Sequence, residues 1–317
     1  MKFLISLFLF LITASLYSQN VSVPDYYRQD KDLTAKLSEI IKSEGLDSSF
    51  DVGEDGKEEI SFAVIDLNGN QPKLGGVNMD NFIYPASVYK MYVAAQILAQ
   101  VSSGQKSLFA PYIAKSPNVV DRSKEIKTDP RPLLADGDTV NINYLLDLMI
   151  TRSDNSAANC LIDIANRKNI NEMMLTYGWK GSEVTRKFLK RKFEDPGYES
   201  VPGTMTCALH AADYMYKVYK DQMINPWVSM QLKSFFGRQL DKSKAASGLP
   251  ANVMYYNKTG WFSYWTNDVG IVDDGSTKYI FSLFMPLEED IALPKFKSIS
   301  EKVYQLMKTR RGQSASK

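Results

Sequence analysis

The apolar and polar positions divide the chain into a strand-rich beginning, a helical middle and a strand-rich end. A polar helical segment from Asp32 to Ser43 leads into Glu59 to Leu67, which reads as a strand with Asn68-Gly69 as its turn and a second strand through Leu74. Ala86 to Val101 is apolar nearly all round (Val88, Met91, Val93, Ala94, Ile97, Leu98), the pattern of a central buried helix and not of a surface one. Ser102 to Thr139 is richer in Pro, Gly and charge and predicts short elements, followed by helices over Ile142 to Ile150 and Ser156 to Ala165. A charged, Pro- and Gly-bearing loop is expected over residues 180 to 203, then helices over Thr206 to Lys220 and Asn225 to Phe236. Strand-like runs at Val253 to Lys258, Asp268 to Val272 and Tyr279 to Met285 precede a closing helix over Lys295 to Lys308 and a polar tail over residues 311 to 317. The fold class predicted is α/β (α+β): one sheet built from both ends of the chain, flanked by helices, with an inserted helical subdomain over about residues 86 to 236.

Composition narrows the function without naming it. With 317 residues, 44% of them hydrophobic and 23% charged, the chain can form a sizeable core and is neither disordered nor collagen-like. Lys and Arg total 38 against 36 Asp and Glu, a net charge of +2, so no field favours nucleic acid or an anionic membrane as the main partner. A small-molecule partner and a monomer are expected. Two Cys and one His argue against a structural zinc site or a His-dependent triad, and no nucleotide-binding loop is present, so neither metal nor cofactor is expected. Cys160 and Cys207 each sit in an apolar helical pattern, where a free thiol packs as a small hydrophobe; in an oxidising compartment they could instead pair.

The first 19 residues read as a secretory leader: Lys2, an apolar run from Phe3 to Ala14, then small and polar residues with a cut expected after Ser18 or Gln19. The run is shorter than the eighteen or so residues of a spanning helix, and no Cys follows to carry a lipid, so a periplasmic or secreted protein without a stable membrane anchor is expected.

Three short motifs carry chemistry. Ser87 and Lys90 stand three apart at the start of the buried helix, on one face. A desolvated lysine has a lowered pKa and can take the hydroxyl proton, which makes the pair an activated serine nucleophile; the plainer reading is an N-cap serine beside a snorkelling lysine. The spacing recurs at Ser103/Lys106 and Ser314/Lys317, so only context sets Ser87 apart. Ser153-Asp154-Asn155 falls in a short break between two helices, and Lys258-Thr259-Gly260 is expected to end a strand.

In this order the three motifs resemble those of the serine β-lactamase and penicillin-binding superfamily, class A in particular. Phe62 to Asp66 with Asn68-Gly69 looks like the family's opening hairpin, Met149 to Asn159 like its second motif with flanks, and Asn267 to Ile271 like the strand after its third, so the likeness runs from about residue 35 to 310. It implies the β-lactamase/transpeptidase-like fold. It implies Ser87 as nucleophile, Lys90 in the proton relay, Ser153 passing a proton to the leaving nitrogen, and Lys258 holding that hydroxyl and attracting the substrate carboxylate. Asn155 would bind the substrate's side-chain amide and Thr259 its carboxylate. The backbone N–H groups of Ser87 and Trp261 would form the oxyanion hole, with Gly260 letting substrate approach the strand. Trp261, Phe262, Tyr264 and Trp265 either shape the pocket or pack as an aromatic hairpin.

Two departures qualify the likeness. The family's Glu-x-x-Leu-Asn, whose glutamate orients the deacylating water, is missing; Glu194 is the best substitute and Glu199 the second, and either reads equally as a solvated loop carboxylate. The family's arginine near the carboxylate is not evident, with Asn267 standing where some members carry it. The expected function is hydrolysis of a β-lactam through an acyl-enzyme on Ser87. A D-Ala-D-Ala peptidase acting on peptidoglycan stem peptides, or another serine amidase or esterase, is the alternative, and a β-lactam-trapping sensor a third.

Overall fold

The computed structural model describes residues 21–115, 126, 128–187 and 203–315; the leader read over residues 1–19, and Glu194 and Glu199, lie outside them. A short strand β1 (Arg28–Gln29) leads into helix α1 (Lys31–Ser43), whose N-cap Asp30 accepts a hydrogen bond from the Leu33 N–H. Leu33, Leu37 and Ile41, at i, i+4 and i+8, form its buried stripe, each contributing about 2 kcal/mol of apolar burial. A small hairpin of β2 (Phe50–Asp51) and β3 (Lys57–Glu58) precedes the longer β4 (Ser61–Asp66) and β5 (Lys73–Val77). The helical middle starts with a 3-10 turn at Ala86–Tyr89 that runs directly into α2 (Lys90–Ser102).

Strands β6 (Pro111–Ile113) and β7 (Thr139–Asn141) pair across the Pro-rich segment. Then come α3 (Ile142–Thr151), α4 (Asn155–Ala165), α5 (Arg167–Thr176), α6 (Ala208–Tyr219) and α7 (Pro226–Phe236). Asn141, Asp154 and Asn225 cap α3, α4 and α7 by accepting from the Tyr144, Ala157 and Val228 N–H groups, which fixes where each helix begins. The chain ends with β8 (Met254–Phe262), β9 (Trp265–Asp273), β10 (Lys278–Met285) and α8 (Glu289–Ala315).

Among the described residues the main sheet has the order β1-β5-β4-β10-β9-β8, antiparallel except for the parallel β1/β5 pair. Every residue of β4 is buried because helices cover both faces: Phe62 and Val64 point to the core shared with α1 and α8, Ala63 and Ile65 to the core shared with α2, α3, α4, α6 and α7. The two ends of the chain are tied by Arg310 of α8, which donates to Asp66 at the end of β4 (3.0 Å) and to Asp30 and Asp32 at the start of α1 (2.5 and 2.8 Å). The fold is the mixed α/β arrangement predicted, one sheet built from both ends of the chain with helices on both faces.

Several boundaries differ from expectation. Lys258-Thr259-Gly260 does not end its strand; β8 continues to Phe262 and pairs with β9 as far as Phe262 opposite Trp265, because the aromatic residues after the motif are themselves good strand formers. Helix α5 was not anticipated: its sequence is polar, and only Asn166, in a left-handed conformation (φ 66°), separates it from α4. Helix α8 begins before Pro294, which stands at its sixth position and removes one intrahelical donor, and it continues to Ala315 through part of the expected tail. Cys160 and Cys207 are both buried and form no disulfide, and burial pushes the Cys207 thiol up to about 12.

Candidate active site

The three motifs converge where the start of α2, the α3–α4 junction and β8 meet. Lys90 is fully buried and its Nζ donates to the Ser153 carbonyl (2.6 Å) and to Asn155 Oδ1 (2.8 Å). The Ser153 hydroxyl lies between two amines, 3.1 Å from Lys90 Nζ and 3.0 Å from Lys258 Nζ. Lys258, also fully buried, donates in addition to the Thr259 carbonyl at 2.6 Å. Ser153, Asn155, Lys90 and Lys258 therefore form one hydrogen-bonded group drawn from three separate stretches of sequence.

Ser87 joins this group through backbone packing. A Cβ on Gly260 would stand 2.5 Å from the Pro85 carbonyl oxygen and 3.1 Å from the Ser87 and Val88 nitrogens, so only glycine lets β8 lie against the turn that carries Ser87. The contact gives Gly260 a structural role in the fold. It accommodates the chain's own turn, and by doing so brings the backbone of β8 beside the Ser87 N–H. Ser87 is half-buried in the Ala86–Tyr89 turn and is not the N-cap of α2, which removes the plainer of its two readings.

Two residues of the site sit in left-handed backbone conformations that L-residues seldom adopt: Ala86 (φ 45°), immediately before Ser87, and Ser153 (φ 62°). Such strain costs about 1–3 kcal/mol per residue and persists where surrounding contacts over-determine it. For Ser153 those contacts are visible. Its carbonyl is held by Lys90, and the next residue, Asp154, is locked as the cap of α4.

Burial dominates the electrostatics. Lys90 is driven well below the ordinary lysine range by desolvation first and by the neighbouring Lys258 second, with Asp154 acting in the opposite direction. Lys258 is lowered to about 7, again chiefly by desolvation, while Asp241 and Asp268 favour its proton. Two ammonium groups cannot share one hydroxyl in a dry site without mutual repulsion. Lys258 has two carboxylates in its field, while desolvation and Lys258 together weaken the hold of Lys90 on its proton, at an amine 3.1 Å from the Ser153 hydroxyl.

The remaining expected residues are placed as follows. Thr259 is almost fully buried on β8, and Trp261 is half-buried next to Gly260. The aromatic hairpin packs largely on itself and its neighbours: Tyr84 meets Phe262 and Trp265 edge-on at 6.0 and 5.4 Å, and Trp265 Nε1 donates to Glu58 at 2.6 Å. Phe262 stays half exposed. Asn267 donates to the Tyr84 carbonyl at 3.1 Å, holding the segment that precedes Ser87. His210 lies away from this group, bonded to Ser182 at 2.8 Å and lowered to about 4 by burial. Among the described residues no cluster of three or more His, Cys, Asp or Glu could hold a metal ion, and no helix is long and apolar enough to cross a membrane. Sequence reasoning overlooked Arg152, whose only signal was its place beside the second motif.

Known proteins share this fold. The family model described as the beta-lactamase enzyme family matches residues 43–307. No curated protein matches. Among solved structures, a beta-lactamase from Sphaerobacter thermophilus aligns with a TM-score of 0.70 at 16% identity over 87% of this chain and 98% of that one. PBP-A aligns equally well, TM-score 0.70 at 16% identity over 91% and 100%. A class A beta-lactamase from Bacteroides cellulosilyticus gives a TM-score of 0.68 at 19% identity over 87% and 98%. At these identities the likeness establishes the fold.

Proposed function

The chain belongs to the beta-lactamase enzyme family, and from that premise we propose that it is a serine hydrolase of the class A β-lactamase type, which opens the β-lactam amide through an acyl-enzyme on Ser87. In this reading Lys90 takes the Ser87 proton as Oγ bonds to the carbonyl carbon, and the oxyanion is held by the N–H groups of Ser87 and Trp261. The proton then passes from Lys90 through the Ser153 hydroxyl to the ring nitrogen as the C–N bond breaks, leaving an ester on Ser87. Lys258 and Thr259 receive the substrate carboxylate and Asn155 its side-chain amide. Glu194 is the first candidate to activate the water that cleaves the ester and frees Ser87.

The observation that carries the proposal is the Ser153 hydroxyl poised between two buried amines, 3.1 and 3.0 Å away, one of them with its proton affinity strongly lowered. Two lysines on one hydroxyl are suited to moving a proton.

A second reading, a D-Ala-D-Ala peptidase or another serine amidase or esterase on the same fold, is favoured by one specific feature, the missing Glu-x-x-Leu-Asn pattern. Acylation would then proceed while deacylation lagged. A non-turnover sensor of β-lactams is the extreme of the same behaviour. The leader-like pattern of the first 19 residues supports an exported protein.

Multiple-turnover hydrolysis of a chromogenic cephalosporin, with intact-mass spectrometry on the same sample, tests the proposal. Steady hydrolysis supports a lactamase. A stoichiometric burst with a lasting adduct on Ser87 supports the peptidase or sensor, and the absence of both signals rejects β-lactams as substrates.

A further inference from the structure

A ladder of alternating charge runs through the described residues from the end of α7 to the site. Arg238 pairs with Asp147 of α3 (2.5 Å), Asp147 with Arg131, Arg131 with Asp129 (2.7 Å), Asp129 with Arg152 (3.5 Å), and Arg152 with Asp154 (2.9 Å). Only the Arg238 end is well exposed; the Arg152, Asp129 and Asp154 side chains are 8%, 4% and 1% accessible, which makes their pairing costly to break. Arg152 also donates to the carbonyls of Arg131 (2.7 Å) and Pro132 (2.8 Å), so one guanidinium ties the 129–132 segment to the residues on either side of Ser153.

We propose that Arg152 is a positioning residue of this site: it holds the left-handed turn at Ser153 by gripping Asp154 on one side and the 129–132 segment on the other, and it screens the Asp154 carboxylate from the Lys90 amine. The inference rests on the functional reading above and deepens it. Ser153 has no latitude of its own, since its carbonyl must meet Lys90 at 2.6 Å while its hydroxyl meets both amines. The chain on either side is pinned by N–H groups of Arg152 and Asp154 that both reach the Leu148 carbonyl (3.4 and 3.1 Å). A planar fork serving two carboxylates and two carbonyls fixes that turn as a lysine could not.

The electrostatic half has a definite sign. Lys258 of β8 disfavours the Lys90 proton and Asp154 of the α3–α4 junction favours it; Ser153 and Asn155 supply neutral partners. Arg152 stands against Asp154 from the far side. Removing its charge leaves the carboxylate uncompensated and strengthens the hold of Lys90 on its proton.

The test is the titration of Lys90, followed by NMR of isotope-labelled lysine in the full-length protein, alongside the pH profile of Ser87 labelling by a fluorescent penicillin. In Arg152→Gln the Lys90 midpoint rises by about half a unit or more, and the acid limb of labelling moves up with it. Labelling at the optimum falls by about tenfold or more as the Ser153 turn relaxes. Arg152→Lys restores the midpoint and not the rate. In an Asp154→Asn background, which keeps the helix cap, the same Arg152→Gln change produces no rise. Arg152→Met serves in place of Arg152→Gln where the latter does not fold. An unchanged midpoint in Arg152→Gln, or an equal rise with Asn at position 154, overturns the inference. A wild-type protein that penicillin does not label sinks the functional reading, while the NMR midpoint still decides the role of Arg152.

Discussion

Lys90 and Lys258 both meet the Ser153 hydroxyl, at 3.1 and 3.0 Å, though 168 positions separate them in the chain. Their charges are coupled, since each ammonium disfavours the other. The ammonium of Lys258 helps keep Lys90 neutral, so replacing Lys258 by Ala moves the acid limb of the Ser87 labelling profile to higher pH. In the parent protein the labelling rate rises with pH as Lys90 gives up its proton and falls again as Lys258 loses its own near 7. A pH profile of penicillin labelling checks both limbs.

Ser87→Ala and Lys90→Ala each reduce acylation by a fluorescent penicillin about a thousandfold or more, because one removes the attacking atom and the other the base. Gel fluorescence and intact mass give the readout. Persistent labelling of either variant refutes the assignment.

Glu194→Gln leaves labelling intact and lengthens the life of the adduct by about a hundredfold if this carboxylate activates the deacylating water. An adduct lifetime equal to that of the parent returns Glu194 to the role of a loop carboxylate.

Gly260→Ala drives a methyl to 2.5 Å from the Pro85 carbonyl, and backbone on both sides must yield. Overpacking of this kind costs about 1–3 kcal/mol, and here the displaced backbone carries Ser87. The expected result is a lower melting temperature together with a drop in labelling of about tenfold or more, measured on the fraction that remains folded. Labelling at the parental rate would show that the approach of β8 to Ser87 is immaterial.

Two buried groups pull stability in opposite directions with pH. His210 is held at about 4 against an ordinary 6.5, so the unfolded chain binds its proton more readily and stability falls as pH drops from 6.5 towards 4. Asp268, lifted by burial to about 6 against 3.8, is the reverse case: its contribution is present at low pH and is lost as pH rises from 3.8 through 6. Each is worth up to about 3 kcal/mol, so they largely offset each other between pH 4 and 6. Asp268→Asn, with the Asn257 amide turned to meet it, removes the second term alone. Denaturant midpoints then place this variant above its parent beyond pH 6 and show a steeper loss on acidification; parallel curves would contradict the assignment.

The parts of the fold legible in the sequence were those fixed by local pattern. The buried helix from Ala86, the helices either side of Ser153-Asp154-Asn155 and the three closing strands stand where apolar spacing and caps put them. The extension of β8 through Trp261 and Phe262 was hidden because it depends on pairing with β9, a partner that no local window contains. The same holds at the site. Residue type and order marked Ser87, Lys90, Ser153 and Lys258, but the pressure of Gly260 on Pro85 and the grip of Arg152 on Asp154 are long-range or conformational facts, invisible until the chain is folded.

Strand β4, complete by residue 66, has as its central neighbour β10, which begins at residue 278. Pairings of such long sequence separation make folding slow, because loop closure must precede any gain from contact. A nascent chain halted before β8 already contains Ser87, Lys90 and Ser153, yet has no strand to press Gly260 against Pro85 and no Lys258 to share the Ser153 hydroxyl. The group around Ser153 is therefore complete only once the sheet closes.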